Sequence, residues 1–290
     1  MSQDRAPAWV VPAMRFGYSA RGLTYALLGG LVFTAALTGG QTDDTQSALA
    51  SLRGESFGPL LLWILGAGFA AYAVWRFICA FMDLERRGHD LKGVVARLGQ
   101  TFSGGVSAGL AVTSVRLAMG AGGGGGDSAR TLASWLLQQP FGKWLVMGAG
   151  VVAIGAGGYY GLKAMKETYK EHMRATPTSR KLDPVVKAGL IAHGIVIAII
   201  GGFLVYAGWT SDPSEAGGMT TAFEAVRAQP YGQVLLAALA LGLVAFAVYC
   251  FVEARYRVVP ALAGDDVTTL AARARAKAEG ATRQMASQVG

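Results

Sequence analysis

Arg21, Ser103 and His193 hold the chemical interest of this chain, because each stands one residue before a glycine (Gly22, Gly104, Gly194) near the start of a long apolar stretch. An ionisable side chain at such a place costs several kcal/mol unless it pairs, reaches the interface or meets water. If the stretches surround one axis, the three side chains converge into a polar cluster. The competing reading has Arg21 reaching a lipid phosphate while His193 bonds a neighbouring carbonyl or serine. Arg76 and Glu253 fall at comparable depth in two further stretches and form a candidate ion pair, unless both reach outward to the interface.

The inventory for other chemistry is thin. Three histidines exist, His89, His172 and His193, and the first two fall between apolar stretches, so no pair stands at metal- or haem-ligand spacing. Cys79 and Cys250 are far apart and read as small buried hydrophobes rather than a disulfide. No serine, histidine and acid stand in the context of a catalytic triad, and the apolar stretches hold almost no carboxylates for proton-coupled transport. The expectation is a chain with no catalytic residue, no metal and no cofactor, hence not an enzyme.

The elements that position these residues are repeated. Phe16-Gly17 with Arg21-Gly22 returns as Leu98-Gly99 with Ser103-Gly104 and as Ala188-Gly189 with His193-Gly194. A second phrase, Phe57-Gly58, returns as Phe141-Gly142 and Tyr231-Gly232, the last two after Gln139-Pro140 and Gln229-Pro230. Each phrase opens an apolar run: Leu23–Leu37, Leu60–Met82, Leu145–Leu162, Leu190–Ala207 and Val234–Val252 are long enough to cross hydrocarbon. The run Val94–Met119 is weaker, since Arg97 and Arg116 flank a Gly- and Ser-rich centre, yet its glycine spacing matches the first and fifth. Six spans are therefore expected. With 52% hydrophobic and 15% charged residues and a mean hydropathy of +0.38, the composition suits lipid rather than water.

Charge orients the spans. Residues 1–21, 83–97, 163–187 and 253–290 hold 3, 4, 7 and 6 Lys or Arg, whereas the alternate loops hold one each, Arg53, Arg130 and Arg227. Basic loops stay in the cytoplasm, so both termini are expected there. The net charge of +8 then reflects topology and anionic head groups, with no nucleic acid required. The first apolar run resembles a signal peptide but belongs to the repeat, and its retention is expected.

Each external loop places helix-start residues (Asp44-Thr45, Asp127-Ser128, Thr220-Thr221) before a short amphipathic stretch, Ala48–Arg53, Thr131–Gln138 and Ala222–Ala228. These predict short helices lying on the membrane surface. The aromatic-Gly pair then turns the chain into the bilayer, with glycine permitting the bend. The Gly122–Gly126 run reads as a linker rather than a phosphate cradle. Among the 41 glycines, Gly105 with Gly109, Gly157 with Gly161, and Gly66, Gly68 with Ala71 predict close helix contacts. The repeat glycines Gly22, Gly104, Gly194, Gly58, Gly142 and Gly232 are assigned the same packing role.

The thrice-repeated phrase, best matched by Gly17, Ala20, Arg21, Gly22 and Tyr25 and followed by the aromatic-Gly turn, resembles the bacterial membrane family known as domain of unknown function 1206. The second and third copies depart from it, with Ser103 or His193 for arginine and Ala108 in the region of the tyrosine. The resemblance covers roughly residues 14–258 and implies a six-helix inner-membrane protein without assigned activity. The whole reading is an all-α polytopic membrane protein: an N-terminal cytoplasmic segment 1–13, tandem parallel helical hairpins at 14–82, 94–165 and 185–258 with pseudo-threefold symmetry, and a basic tail 259–290 with a helix from Val267 to Ala278. The expected function is a non-enzymatic binding or scaffold protein for membrane lipids or another membrane protein; the alternative is a channel or transporter along the threefold axis.

Overall fold

A computed structural model describes residues 9–42, 44–85, 87–88, 90–121, 128–174 and 176–259. The Gly122–Gly126 linker, the Asp127 cap, His89, the tail helix at 267–278 and most of segments 1–13 and 259–290 lie outside them. The described residues form α1 (Val10–Thr38), α2 (Thr45–Ser51), α3 (Gly58–Met82), α4 (Leu91–Ala118), α5 (Ser128–Leu137), α6 (Gly142–Met165), α7 (Pro177–Lys181), α8 (Asp183–Thr210), α9 (Met219–Arg227) and α10 (Gly232–Tyr256). Short 3-10 turns at Leu52–Gly54, Thr168–His172 and Pro213–Glu215 complete the path.

Helices α1, α3, α6, α8 and α10 are long and apolar enough to cross a membrane. At 1.5 Å per residue the 29 residues of α1 extend about 43 Å, more than the hydrocarbon thickness. Helix α4 is as long, at 28 residues, but its Arg97, Arg116, glycines and serines keep it less apolar. Helices α1, α4 and α8 start 4, 3 and 2 residues before the expected repeat boundaries at 14, 94 and 185. The chain turns at their far ends through left-handed residues, Gly39 (φ 76°), Gly120 (φ 83°) and Ser211 (φ 58°).

The long helices lie in the spatial order α4, α3, α1, α10, α8, α6. The broadest seams, α6 with α8, α1 with α10 and α3 with α4, each join the second helix of one repeat to the first helix of the next, the last repeat meeting the first. Thinner seams join the two helices of repeat one, α1 with α3, and of repeat three, α8 with α10. The equivalent seam of repeat two, between α4 and α6, is not formed among the described residues. The expected threefold pattern therefore holds on five seams and opens at the sixth.

Small residues set the seams. Added Cβ atoms at Gly150 and Gly201 would each lie 2.7 Å from the other glycine's carbonyl oxygen, and those at Gly157 and Gly194 at 2.5 and 2.6 Å, so α6 and α8 touch backbone to backbone twice. Gly22 packs against Phe251 and Gly104 against Phe77, while Gly66 meets Val115 and Gly68 meets Ala20. Gly105, Gly109 and Gly161 instead face open space, contrary to expectation.

Gly58, Gly142 and Gly232 differ from the expected role as well. They do not join two spans; each lies under the carbonyl of the loop helix or turn just before it. A Cβ there would fall 1.7, 2.2 and 1.8 Å from the carbonyl oxygens of Leu52, Leu136 and Arg227. The positive φ of the bend belongs to the aromatic residue, Phe141 (62°) and Tyr231 (60°), whereas Phe57 has φ −108°. Each turn closes with the glycine N–H donating to the carbonyl three residues back, at 2.8–2.9 Å.

The loop helices form as expected, with one difference at a cap. Asp44 accepts from the Ser47 N–H at 2.7 Å and caps α2, but α9 starts at Met219 behind Gly218, without a side-chain cap. Two of the three solitary loop arginines cap helices of a neighbouring repeat. Arg227 donates to the Gly39 and Gly40 carbonyls at the end of α1, both at 2.7 Å, and Arg53 reaches the Ala121 carbonyl after α4 at 3.5 Å. The equivalent residue of repeat two is Leu137, and beside it a cavity of about 340 Å³ opens between Phe141, Lys143, Trp144 and Ser211.

Candidate functional site

Arg21 lies eleven residues into α1, about 16 Å along it. Its Nη1 donates to the Tyr72 hydroxyl of α3 at 2.5 Å, and the guanidinium carbon sits 4.8 Å from the Tyr72 ring centroid. Ser103 of α4 interacts with the same phenol. His193 of α8 stacks on Phe246 of α10, with centroids 3.9 Å apart and planes within 16°. The edges of Tyr25 and Tyr160 close on the imidazole at 5.2 and 5.0 Å. The three positions expected to converge thus share one aromatic layer, Tyr25, Tyr72, Tyr160 and Phe246, without bonding directly to one another. His193 is 4% exposed and its Nδ1 has no hydrogen-bond partner.

Arg76 joins this centre instead of Glu253. Its guanidinium carbon lies 5.7 Å from the same Tyr72 ring, and its buried Nε has no partner. The expected pair with Glu253 does not form, because Arg257, one helical turn away on α10, occupies that carboxylate. Among the described residues neither Arg21 nor Arg76 has a carboxylate within ion-pair distance. Arg21, Arg76, Ser103, Tyr25 and Tyr160 are half-buried rather than sealed. The centre is therefore cationic, aromatic and accessible.

A second polar assembly lies at the helix ends bearing the basic loops. Glu85, in the α3–α4 loop, accepts from Arg257 Nη2 at 2.5 Å, from Arg87 at 2.8 and 3.1 Å and from Gln100 Nε2 at 2.9 Å. Arg257 also holds Glu253, to which Tyr249 hydrogen-bonds, and Lys163 Nζ donates to the Tyr249 hydroxyl at 2.9 Å. Burial alone would raise the Glu85 carboxyl, but the Arg257, Arg76 and Arg87 guanidiniums hold it far below the ordinary carboxylate range. Burial, reinforced by the Arg257 charge, pushes the nearby His172 imidazole below its usual value. A cavity of about 40 Å³ between Arg87, Lys163, His172 and Arg257 completes this end. Beside it, Met173 bridges to Arg257 through the backbone.

The aromatic layer was not anticipated from sequence, although the repeat register carries a signal for it. Tyr72 and Phe246 each follow their shared glycine by 14 residues, and Arg76, Tyr160 and Cys250 follow theirs by 18. Equivalent positions on α3, α6 and α10 thus supply the centre, just as Arg21, Ser103 and His193 do on α1, α4 and α8. Cys79 and Cys250 are free and buried. Among the described residues no group of three His, Cys, Asp or Glu is placed to hold a metal.

Comparison with known proteins agrees with the repeat. A Bacillus subtilis (strain 168) protein described as "Uncharacterized protein YxxB" is 31% identical over 263 residues, covering 89% of this chain and 94% of that protein. No solved structure matches the chain. The family described as Domain of Unknown Function (DUF1206) matches three times, over residues 16–83, 98–167 and 188–257, and the chain belongs to that family.

Proposed function

We propose that this chain is a non-enzymatic binding protein of a bacterial plasma membrane, spanning it six times with both termini and the basic loops in the cytoplasm. In this reading α4 is the sixth span, held in place by α3, and its bases at Arg97 and Arg116 sit near the two interfaces. Arg97 donates to the Ala80 and Phe81 carbonyls near the end of α3, which supports that depth. The site is the aromatic-cationic centre, and the ligand is an amphiphile that enters from the bilayer between α4 and α6.

The observation that carries this reading is the coincidence of two features. Polar side chains from all three repeats, half-buried in repeats one and two and buried at His193 in repeat three, meet at one level, and among the described residues the series of helices beside them lacks a broad α4–α6 seam. Glycines facing open space at Gly105 and Gly109 on α4 and at Gly155, Gly158 and Gly161 on α6 leave room for an acyl chain. The outer half favours binding over conduction, since its interior consists of apolar clusters around Leu28, Val32 and Leu243 and around Leu49, Leu62 and Leu65.

Native mass spectrometry of the protein released from gentle detergent tests the proposal. A bound lipid is expected on the wild type, with at least tenfold lower occupancy in Gly105→Leu/Gly158→Leu, which fills the opening. Equal occupancy in both would refute it. Solute flux in liposomes that disappears in Arg21→Ala would move the assignment to transport.

A further inference from the structure

We infer that Arg21 and Arg76 together receive a phosphate group, the head of the amphiphile whose binding is proposed above and on which this inference rests. The two guanidiniums flank one ring, Tyr72, at 4.8 and 5.7 Å. Among the described residues neither forms an ion pair: the buried Glu85 carboxylate, close enough to feel the Arg76 charge, is bonded by Arg257 and Arg87, and Glu253 is bonded by Arg257. Positive charge is in excess where solvation is poor, and an anion is the group that relieves it. Among the described residues the Nε of Arg76 is buried without an acceptor, whereas buried donors are ordinarily paired.

The neutral groups around the pair fit a phosphate better than a carboxylate. The Tyr25, Tyr72 and Tyr160 phenols and the Ser103 hydroxyl surround the guanidiniums and, with them, offer more donors than two carboxylate oxygens can use. A phosphate diester presents two free oxygens and two ester oxygens, and arginine's fork matches its geometry. Arg76 lies six residues from the end of α3, about 9 Å, so a lipid phosphate reaches it by sinking below its usual level. The tail then leaves through the gap between α4 and α6.

The test uses the full chain in dodecylmaltoside micelles, titrated with dioctanoyl phosphatidylglycerol, dioctanoylglycerol and inorganic phosphate and followed by calorimetry. The phospholipid is expected to bind saturably. Arg21→Gln and Arg76→Gln should each weaken it at least tenfold, Arg76→Lys should restore part of the loss, and the surface variant Arg180→Gln should change nothing. Circular dichroism and monodispersity check that each variant is folded. Inorganic phosphate binding as tightly as the phospholipid, with the same loss in Arg76→Gln, would support phosphate recognition and assign it to a soluble source. Dioctanoylglycerol binding as tightly as the phospholipid, unaffected by Arg76→Gln, would overturn the phosphate assignment and leave the amphiphile site standing. Absence of binding by all three probes would overturn both.

Discussion

Glu85 lies in a loop, yet its side chain is 2% exposed and its carboxylate collects donors from Arg87, Gln100 and Arg257, the last 172 positions away. Removing one partner of a buried ion pair leaves the other uncompensated, so Glu85→Gln should cost about 3 kcal/mol. Acid should act in the same direction. The folded Glu85 carboxyl lies below the unfolded value of 4.5, so its stabilisation is complete above that pH and drains away as pH falls beneath it. The folded His172 imidazole lies below the ordinary 6.5, so the unfolded chain takes the proton first and stability declines as pH drops under 6.5. The thermal midpoint in micelles should therefore be flat near pH 7–8, fall below about 6.5 and fall again below about 4.5. His172→Gln should flatten the first step and Glu85→Gln the second; a midpoint constant from pH 8 to 4 would contradict this account. Residue pairing was the part least legible in sequence. Hydropathy gives the depth of Arg76 and Glu253 but not their direction around the helix, whereas the four-residue spacing of Glu253 and Arg257 did carry the true partner.

Glycine roles divide at the scale of elements. Gly58, Gly142 and Gly232 sit under carbonyl oxygens, and Gly157 and Gly194 sit under each other, whereas Gly105 faces nothing. Gly142→Ala and Gly232→Ala should each destabilise by about 1–3 kcal/mol through forced displacement of the turn. Gly194→Val should do the same by parting α6 from α8. Gly105→Ala should be neutral or stabilising by up to about 1 kcal/mol, because alanine restricts the unfolded chain and favours helix. Equal effects at Gly105 and Gly142, measured by thermal unfolding in micelles, would refute this division. The helices themselves were readable: the loop helices followed from capping residues and apolar spacing, and α4, too polar for its hydropathy to stand out, was recovered from glycine spacing shared with α1 and α8. A repeated aromatic-Gly phrase does not reveal whether a carbonyl lies overhead, so the glycines' separate roles needed coordinates.

Over the described residues as a whole, the three copies build an open series of helices whose broad seams all join one repeat to another. Symmetry in sequence predicts symmetry in packing, but Leu137 stands where the other copies have Arg53 and Arg227, and among the described residues α4 and α6 form no broad seam. Those departures are too small to be seen as functional in a single sequence. The orientation we propose makes a direct prediction: in intact cells a membrane-impermeant maleimide should label cysteines placed at Thr45, Arg130 and Glu215 and spare one at Arg180. The reverse pattern would invert the assignment and place the Glu85 network outside.

The longest-range consequence belongs to the seam between α1 and α10, reinforced by Arg227 on the Gly39 and Gly40 carbonyls. Helix α1 leaves the ribosome well ahead of α10 and waits for it before its broadest partner exists. At ordinary translation speeds that delay is about 10–40 s, during which Arg21 stands in lipid or translocon without the wall that α10 supplies. Truncated products lacking α10 would keep that arginine uncovered, a defect that a membrane protease could sense as an unfinished chain.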